Sequence, residues 1–565
     1  MPKYSQYNIP NASTMVNFGP GQPNNKNLPM QWFQQTCSKM SQDIFGSDDN
    51  EHKQLLQYGA IEGYDDIRNE LASWLTEKYY SKLKVKDLNI SYKVESNQLF
   101  MTNGNTGAIN MILNKHSDTY DTILVDNPTY FLAIKIFEEC GLTVKGVNLE
   151  MDGVNIDDLE EKIKENNQDV LFYYMIPTHH NPTGITTTHE KRKQLAKLCD
   201  KYENFYIIAD EVYHFLSFDD SYDFYPMADY HPKIISLGSF SKIVAPGLRV
   251  GWIYQNTNLI KYCEDYGFVS GIYGLNKSYL LDSSGGVNPI GFKFIEYALK
   301  NREIDTIISN HLNYLKSNCS MMVEYLEQFN NISFIKPKGG YFIWIQFKTI
   351  KNITSFLKLC EKNKVKFNPG VNFSTNNDFN DSCRLSFSYY NSDELILGLE
   401  RLMDSVVKFN SINIKIHGAT GKLGSLIKKE INQNNNFNYC GDIGRTYNND
   451  IFNDLFSYNS VIIDVSSNDG TFNLLKYLCE NDINIPLIVG TTGLNENTQC
   501  LIKLYSEKNQ VLQISNFSEG IPLFKKIAKL TNSLSSTWKF NMTDVHHVHK
   551  KDAPSGTALS IKNEI

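Results

Sequence analysis

The chain has 565 residues, 41% of them hydrophobic and 21% charged, with a formal net charge of −7. That length exceeds a single hydrophobic core and predicts several domains of about 100–200 residues each. The acidic balance, with no clustered run of Lys and Arg, excludes a nucleic-acid-binding surface as the main function. Ten cysteines stand singly, with no C-x-x-C pair and no histidine spacing typical of zinc, so neither a disulfide framework nor a metal site is expected. No apolar run nears the roughly 20 residues of a membrane span. The N-terminus has no apolar signal core, and a cytoplasmic protein without a membrane or nucleic-acid partner is expected.

Strand-like and helix-like stretches alternate from about residue 97 to 255. Leu99–Thr102 reads as a strand, then Gly104-Asn105-Thr106-Gly107-Ala108 leads into a helix over Ala108–Leu113. Such a glycine-rich turn suits a phosphate, which takes the free N–H groups of a helix's first turn. Thr122–Asp126, Val170–Tyr174 and Phe205–Asp210 are continuous apolar strands, separated by helical patterns such as Ala133–Cys140 and His189–Tyr202. Unbroken apolar strands predict a sheet covered on both faces. Ile234–Leu237 leads into, and Val250–Tyr254 out of, a loop in which Lys242 lies among Ser239 and Ser241 and is followed seven positions on by Arg249, across Pro246-Gly247. A lysine so placed can bond an aldehyde while its neighbours grip a phosphate, at a strand end where α/β sites form.

Residues 290–328 read as mainly helical and 331–408 as an α+β segment ending in a helix, Asp393–Val407. Arg384 lies in the strand-like run Cys383–Phe387, where a buried guanidinium requires an anion. Lys408-Phe409-Asn410 reads as a short linker, after which Ile412–His417 begins a new alternating strand. Gly418-Ala419-Thr420-Gly421-Lys422-Leu423-Gly424 follows and opens an amphipathic helix with Leu426, Ile427 and Ile431. This context suits a dinucleotide, its pyrophosphate on the helix N-terminus. Asp442 stands at the spacing of a ribose contact, and Arg445 is available to a 2′-phosphate. Asn432–Asn438 reads as a loop. The expected domains are 1–408 (a large one over about 60–290, a small one from the N-terminal arm and about 291–408) and 411–565 (nucleotide-binding over about 411–517, then about 518–565). Three histidines and two lysines within His546–Lys551 read as an exposed basic loop or, in fewer proteins, a metal site.

These ordered motifs resemble the class I/II, fold-type I aminotransferases dependent on pyridoxal 5′-phosphate (PLP), over residues from about Val16 to Val407. The wording Gly238-Ser-Phe-Ser-Lys242 and Ala245-Pro-Gly-Leu-Arg249 is closest to the 2-aminoadipate and aromatic branch. The resemblance implies an α/β fold with a large mixed-sheet domain and a small α+β domain. It makes Lys242 the catalytic lysine and assigns Asp210 to the pyridinium nitrogen. Asn181 and Tyr213, from Asn181-Pro182-Thr183-Gly184 and Asp210-Glu211-Val212-Tyr213, go to the phenolic oxygen, and Tyr130 to the ring face. Asn105, Thr106, Ser239, Ser241 and Arg249 go to the phosphate, with Tyr58 of a neighbouring subunit. Arg384 would hold the substrate α-carboxylate, with Asn181 and Gly19 beside it. A homodimer acting on an amino acid and a 2-oxo acid is implied.

His546-His547-Val548-His549-Lys550-Lys551-Asp552-Ala553-Pro554-Ser555-Gly556-Thr557 resembles 4-hydroxy-tetrahydrodipicolinate reductase, of the DapB type, over residues 412–565. That resemblance implies a Rossmann-type nucleotide-binding domain that takes NAD(P)H on Gly418, Gly421, Lys422, Leu423, Gly424 and Asp442. Gly490 and Thr492 of Gly490-Thr491-Thr492-Gly493, with Asn516-Phe517-Ser518, fall on the nicotinamide side. His546 and Lys550 would supply proton and charge, and His547, Ser555, Gly556 and Thr557 would bind substrate. Members of that family run on past this motif, so an incomplete substrate domain is expected. The expected function is a transaminase fused to a reductase-like unit in lysine or diaminopimelate biosynthesis. The alternative is an aromatic or 2-aminoadipate transaminase whose second unit binds nucleotide or a partner without turnover. A PLP-sensing transcription regulator is not expected, the arm before Val16 being too short for a DNA reader.

Overall fold

A computed structural model of the chain describes residues 9–43, 53–80, 93–115, 121–166, 168–219, 225–256, 286–434, 436–455, 459–514 and 556–562, with a few single positions between. The chain divides into two units, Met1–Met403 and Asp404–Ile565.

The first unit is organised on an eight-stranded sheet. Its strands lie in the order Leu99–Thr102, Gly251–Tyr254, Ile234–Ser239, Phe205–Asp210, Leu171–Met175, Thr122–Asn127, Thr143–Glu150 and Gly153–Val154. Gly251–Tyr254 runs antiparallel to both neighbours and Gly153–Val154 to its one; the other pairings are parallel. The four central strands are buried at every residue, as a parallel sheet with helices on both faces requires. The helices carry their own start and stop signals. Ile156–Lys164 has Asn155 as its cap, accepting from the Asp158 amide, with Asp157 and Asp158 in the first turn and Lys162 and Lys164 in the last; it buries Leu159 and Ile163. His189–Lys201 is capped by Thr188 and buries Leu195, Leu198 and Cys199 against the strands through Leu171, Tyr173, Phe205 and Ile207.

A four-stranded antiparallel sheet follows, in the order Ile332–Phe334, Phe342–Phe347, Ser382–Ser386, Asn368–Pro369. The N-terminal arm docks beside it: Val16–Asn17 forms a separate two-stranded parallel sheet with Val365–Lys366, and the Ser386 amide donates to the Phe18 carbonyl at 3.0 Å. Gly19 and Arg384 are thereby brought together from opposite ends of the unit.

Lys408-Phe409-Asn410, expected as a linker, is instead the last turn of a helix over Ser392–Asn410. No Gly or Pro interrupts the run from Glu400 to Asn410, so nothing stops the helix sooner. Ser411 ends it, its amide and its Oγ both donating to the Val407 carbonyl, at 3.0 and 2.7 Å. The phosphate-side helix also starts earlier than expected, spanning Gly104–Lys115.

The second unit is a parallel sheet in the order Phe437–Ile443, Ile412–His417, Ser460–Asp464, Leu487–Val489, Val511–Gln513. The strand order reverses beside Ile412–His417, whose carboxyl end lies between Ile443 and Asp464. Leu426, expected on the buried face of the helix Lys422–Gln433, is 61% exposed. No helix among the described residues is long and apolar enough to cross a membrane.

Packing beside the Lys242 loop is tight at Gly238. A Cβ there would lie 2.1 Å from two atoms of the buried Trp252 ring on the neighbouring strand. Overpacking of this kind costs about 1–3 kcal/mol. Gly238→Ala is therefore expected to lower the thermal midpoint of the first unit by several degrees, read from a melt followed by circular dichroism; an unchanged melt would show that the ring yields freely.

Candidate active site

The carboxyl ends of the strands bring Asn105, Tyr130, Asn181, Asp210, Ser239 and Lys242 to one edge of the eight-stranded sheet, the edge where α/β folds bind ligands. Asp210 ends its strand and is buried. Asn105, in the first turn of the helix Gly104–Lys115, donates to Asp210 Oδ1 at 2.5 Å, and Tyr174 donates to Oδ2 at 2.8 Å. Burial pushes the Asp210 carboxyl up, while the bonds from Asn105, Tyr174 and the Val212 amide and the charge of Lys242 pull it back down.

Lys242 follows the next strand. Its Nζ donates to the Gly21 carbonyl at 2.6 Å and lies 5.7 Å from the centre of the Tyr341 ring. Part of the side chain reaches solvent, yet burial lowers the ammonium to about 8; the Arg384 and Arg249 cations add to the fall and Asp210 opposes it. The Lys242 backbone is held as well: Tyr341 donates its hydroxyl to the Lys242 carbonyl at 2.8 Å and meets His311 Nε2 at 2.8 Å.

An anion cradle lies beside the lysine. Ser239 Oγ is 2.9 Å from Ser241 Oγ, and the Arg249 guanidinium reaches Ser241 Oγ at 3.5 Å and the Asn103 carbonyl at 3.0 Å. Gly104, at φ +79°, makes room: a Cβ there would stand 2.7 Å from Arg249 Nη2. Arginine, two hydroxyls and a helix N-terminus thus converge. Thr106 is exposed in that first turn, whereas the Asn105 side chain turns to Asp210 and the Leu237 carbonyl.

Arg384 is buried in its strand, with Nη1 donating to Asn181 Oδ1 at 2.6 Å and Nη2 to the Gly19 carbonyl. Its Nε is buried without a partner, and the rings of Phe342, Phe373 and Phe131 surround the guanidinium at 4.0, 4.9 and 5.9 Å. A buried cation with an unmet donor is built for an anion. Tyr213 packs between Tyr341 and Phe342, ring centres 5.6 and 5.9 Å away. Tyr130 caps the helix Phe131–Glu139 and influences the ionisation of Arg384 and Tyr213. Asn181 sits in a loop clamped by the buried Arg192, which donates to the carbonyls of Thr187, Tyr225 and Pro177 and to Thr178 Oγ1 at 2.9–3.1 Å. Tyr58 is 80% exposed, apart from this cluster.

A buried acid, an amine of lowered basicity, an anion cradle around the exposed Arg249 and the buried Arg384 fit the ring nitrogen, aldehyde and phosphate of PLP and the carboxylate of an amino acid. Tyr174, Tyr341 and His311 are absent from the sequence-based set. The one signal for Tyr174 is its place near the carboxyl end of an apolar strand.

In the second unit Gly418, at φ +88°, lies so close to Ser466 that a Cβ would come within 2.7 Å of its backbone, and a Cβ at Gly424 would meet the Gly418 carbonyl at 2.3 Å. These two glycines close the loop onto the helix; Gly421 caps it, and Lys422 and Leu423 start it. Asp442 precedes the last residue of its strand and pairs with Lys428 at 3.5 Å. Gly490 bonds to the Asp464 carbonyl, Thr491 turns inward to Asp464 Oδ2 at 3.0 Å, and Thr492 faces outward. At the strand reversal His417 Nδ1 lies 2.8 Å from Asp464 Oδ1. His546, His547, Lys550 and Ser555, with Asn516-Phe517-Ser518, lie outside the described residues; Gly556 and Thr557 begin a helix, Gly556–Lys562.

Residues 13–402 match the family "Aminotransferase class I and II". Residues 412–517 match "Dihydrodipicolinate reductase, N-terminus" and residues 520–565 its C-terminus. Aromatic-amino-acid aminotransferase 1 of Thermococcus litoralis is 30% identical over 360 residues, 62% of this chain and 80% of the relative. The 2-aminoadipate transaminase of Thermus thermophilus is 23% identical over 357 residues, 61% and 80% of the two chains. The crystal structure of a multiple substrate aminotransferase from Thermococcus profundus shares the fold, at a TM-score of 0.59 and 24% identity over 72% of this chain and 96% of that one. The chain belongs to the class I and II aminotransferases, whose cofactor is PLP, and carries behind that unit a dihydrodipicolinate reductase-like unit of the kind that takes NAD(P)H.

Proposed function

We propose that the first unit transfers an amino group between an amino acid and a 2-oxo acid, with Lys242 as the catalytic base. The observation that carries this is that Lys242 stands within reach of the charges of Asp210, from the same sheet, and Arg384, from the four-stranded one, with the lysine brought down to about 8. PLP, once bound, supplies the aldehyde carbon and the electron-withdrawing ring. Ser239, Ser241, Arg249 and Thr106 hold its phosphate, Asp210 its ring nitrogen, Asn181 and Tyr213 its phenolic oxygen, and Tyr130 its face. Arg384 takes the substrate carboxylate in place of the Gly19 carbonyl, which fixes the α-carbon, and Lys242 Nζ takes the α-proton and returns it. The Gly21 and Gly19 carbonyls accept from these two cations, Lys242 and Arg384 respectively.

The unit works as a homodimer in the cytoplasm, Tyr58 of one copy serving the phosphate of the other. The second unit, residues 411–565, binds NAD(P)H on Gly418, Gly421, Gly424 and Gly490. It carries hydride chemistry through His546 and Lys550, with His547, Ser555, Gly556 and Thr557 on the substrate. Its linkage to the transaminase supports a substrate in lysine or diaminopimelate biosynthesis. A second reading has aromatic or 2-aminoadipate donors beside a non-catalytic second unit; its donors are those in the names of two relatives.

The purified protein is expected to show a visible absorption band that Lys242→Ala abolishes and that added donors bleach; no such band would sink the central reading. Bleaching confined to aromatic donors would remove the lysine-pathway assignment, and NAD(P)H binding without turnover would favour the second reading. Arg384→Gln is expected to lower kcat/KM for every donor by about a hundredfold, the loss typical of removing one partner of a buried charge pair. Only the uncharged amine attaches to the cofactor. Its rate of attachment to the apoprotein should therefore rise about tenfold per pH unit up to about 8 and level off above it. Arg249→Gln removes a cation that lowers Lys242, so the inflection should move upward.

A further inference from the structure

Two consecutive tyrosines of the strand Leu171–Met175 treat the two flanking strands alike. Tyr173 donates to Asp126 at the end of Thr122–Asn127, and Tyr174 donates to Asp210 at the end of Phe205–Asp210. The pleat sends them to opposite faces, and Tyr173 joins the core with Leu171 and Met175. Both phenols are completely buried. Only Tyr174 reaches the carboxylate that stands with Lys242.

We propose that Tyr174 is a positioning residue for the cofactor's ring nitrogen: its O–H, donated to Asp210 Oδ2, fixes the carboxylate in its plane and leaves Oδ1 as the oxygen that takes a second donor. In the structure that second donor is Asn105 Nδ2, and the Asn105 Oδ1 atom behind it is buried without a partner. The groups facing Asp210 are thus Asn105 from the helix Gly104–Lys115, Tyr174 from the adjacent strand, Lys242 from the loop after the next strand, and the Val212 amide. Hydrogen bonds to the charged form of a buried carboxylate favour that form. Loss of the phenol therefore weakens the attraction between Asp210 and a protonated ring nitrogen, while leaving phosphate and lysine contacts in place.

This inference rests on the reading that the first unit binds PLP, and the test separates the two. The dissociation constants of PLP and of its 1-deaza analogue, which has carbon in place of the ring nitrogen, are measured on the full chain for the native protein, Tyr174→Phe, Tyr173→Phe and Asp210→Asn. A hydrogen bond to a charged group is worth about tenfold or more. Tyr174→Phe should weaken PLP by about tenfold and the analogue by less than twofold, whereas Tyr173→Phe should affect the two alike. In the Asp210→Asn background Tyr174→Phe should cost nothing further on PLP. Equal losses on PLP and the analogue, or a full tenfold loss in the Asp210→Asn background, would overturn the role of Tyr174. A Tyr174→Phe apoprotein that melts far below the native one would show the phenol to be structural and would overturn it too. Native protein that binds neither compound would instead sink the reading beneath it.

Discussion

A carboxylate buried at the carboxyl edge of a parallel sheet is expensive to keep charged, and the arrangement of the first unit follows from that cost. Asp210 is removed from water by the strands on either side, which favours its neutral form. Donors from a helix, from the adjacent strand and from the following turn, with one nearby ammonium, offset part of the penalty, and the carboxyl stays above its ordinary value. The same ammonium is made less basic by its surroundings, burial first and two arginines second. Acid and amine thus each favour the other's charged form, against the burial that favours the neutral ones.

The second unit meets the same constraint with different groups. Asp464, at the end of the strand beside the order reversal, is buried, which by itself would raise its carboxyl. His417, Ser466 and Thr471 more than offset this and hold it below the ordinary carboxylate range. A carboxyl lowered on folding contributes stability at neutral pH, which is lost as the pH falls through its folded value. The Gly418 loop packs directly on Ser466, so the glycine turn and the buried acid beneath it form one rigid feature.

The sheet was legible because its signals are local. Phe205–Asp210 and Ile412–His417 have the expected bounds, since an unbroken or alternating apolar run flanked by polar residues admits few other readings. The helix ends were less legible. Lys408-Phe409-Asn410 looks like a break because it separates two patterns, yet nothing in it opposes helix, and the helix continues through it. Leu426 fits an apolar stripe but faces solvent, because the stripe does not say how much of a helix the sheet covers. In the candidate site, residues carried by a wording of several letters, such as Lys242 with Ser239, Ser241 and Arg249, could be read directly. Tyr174, Tyr341 and His311 belong to no wording and act on Asp210 and Lys242 from other elements.

The sequence by itself determined which chemical groups are present and on which local element each stands. A lysine beside two serines, an aspartate ending an apolar strand, an arginine within another and a glycine-rich turn before a helix are short-range facts, set by residue type and spacing. The tertiary structure alone decided which of these groups meet and how they are charged. Gly19 reaches Arg384 only because the N-terminal arm docks on a sheet more than 350 positions away. Asn105 turns to Asp210 although two strands separate theirs in the sheet, because its helix reaches across the end of Ile234–Ser239, where Asn105 also donates to the Leu237 carbonyl. Burial and the proximity of charge depend on distance in space, which spacing along the chain does not encode.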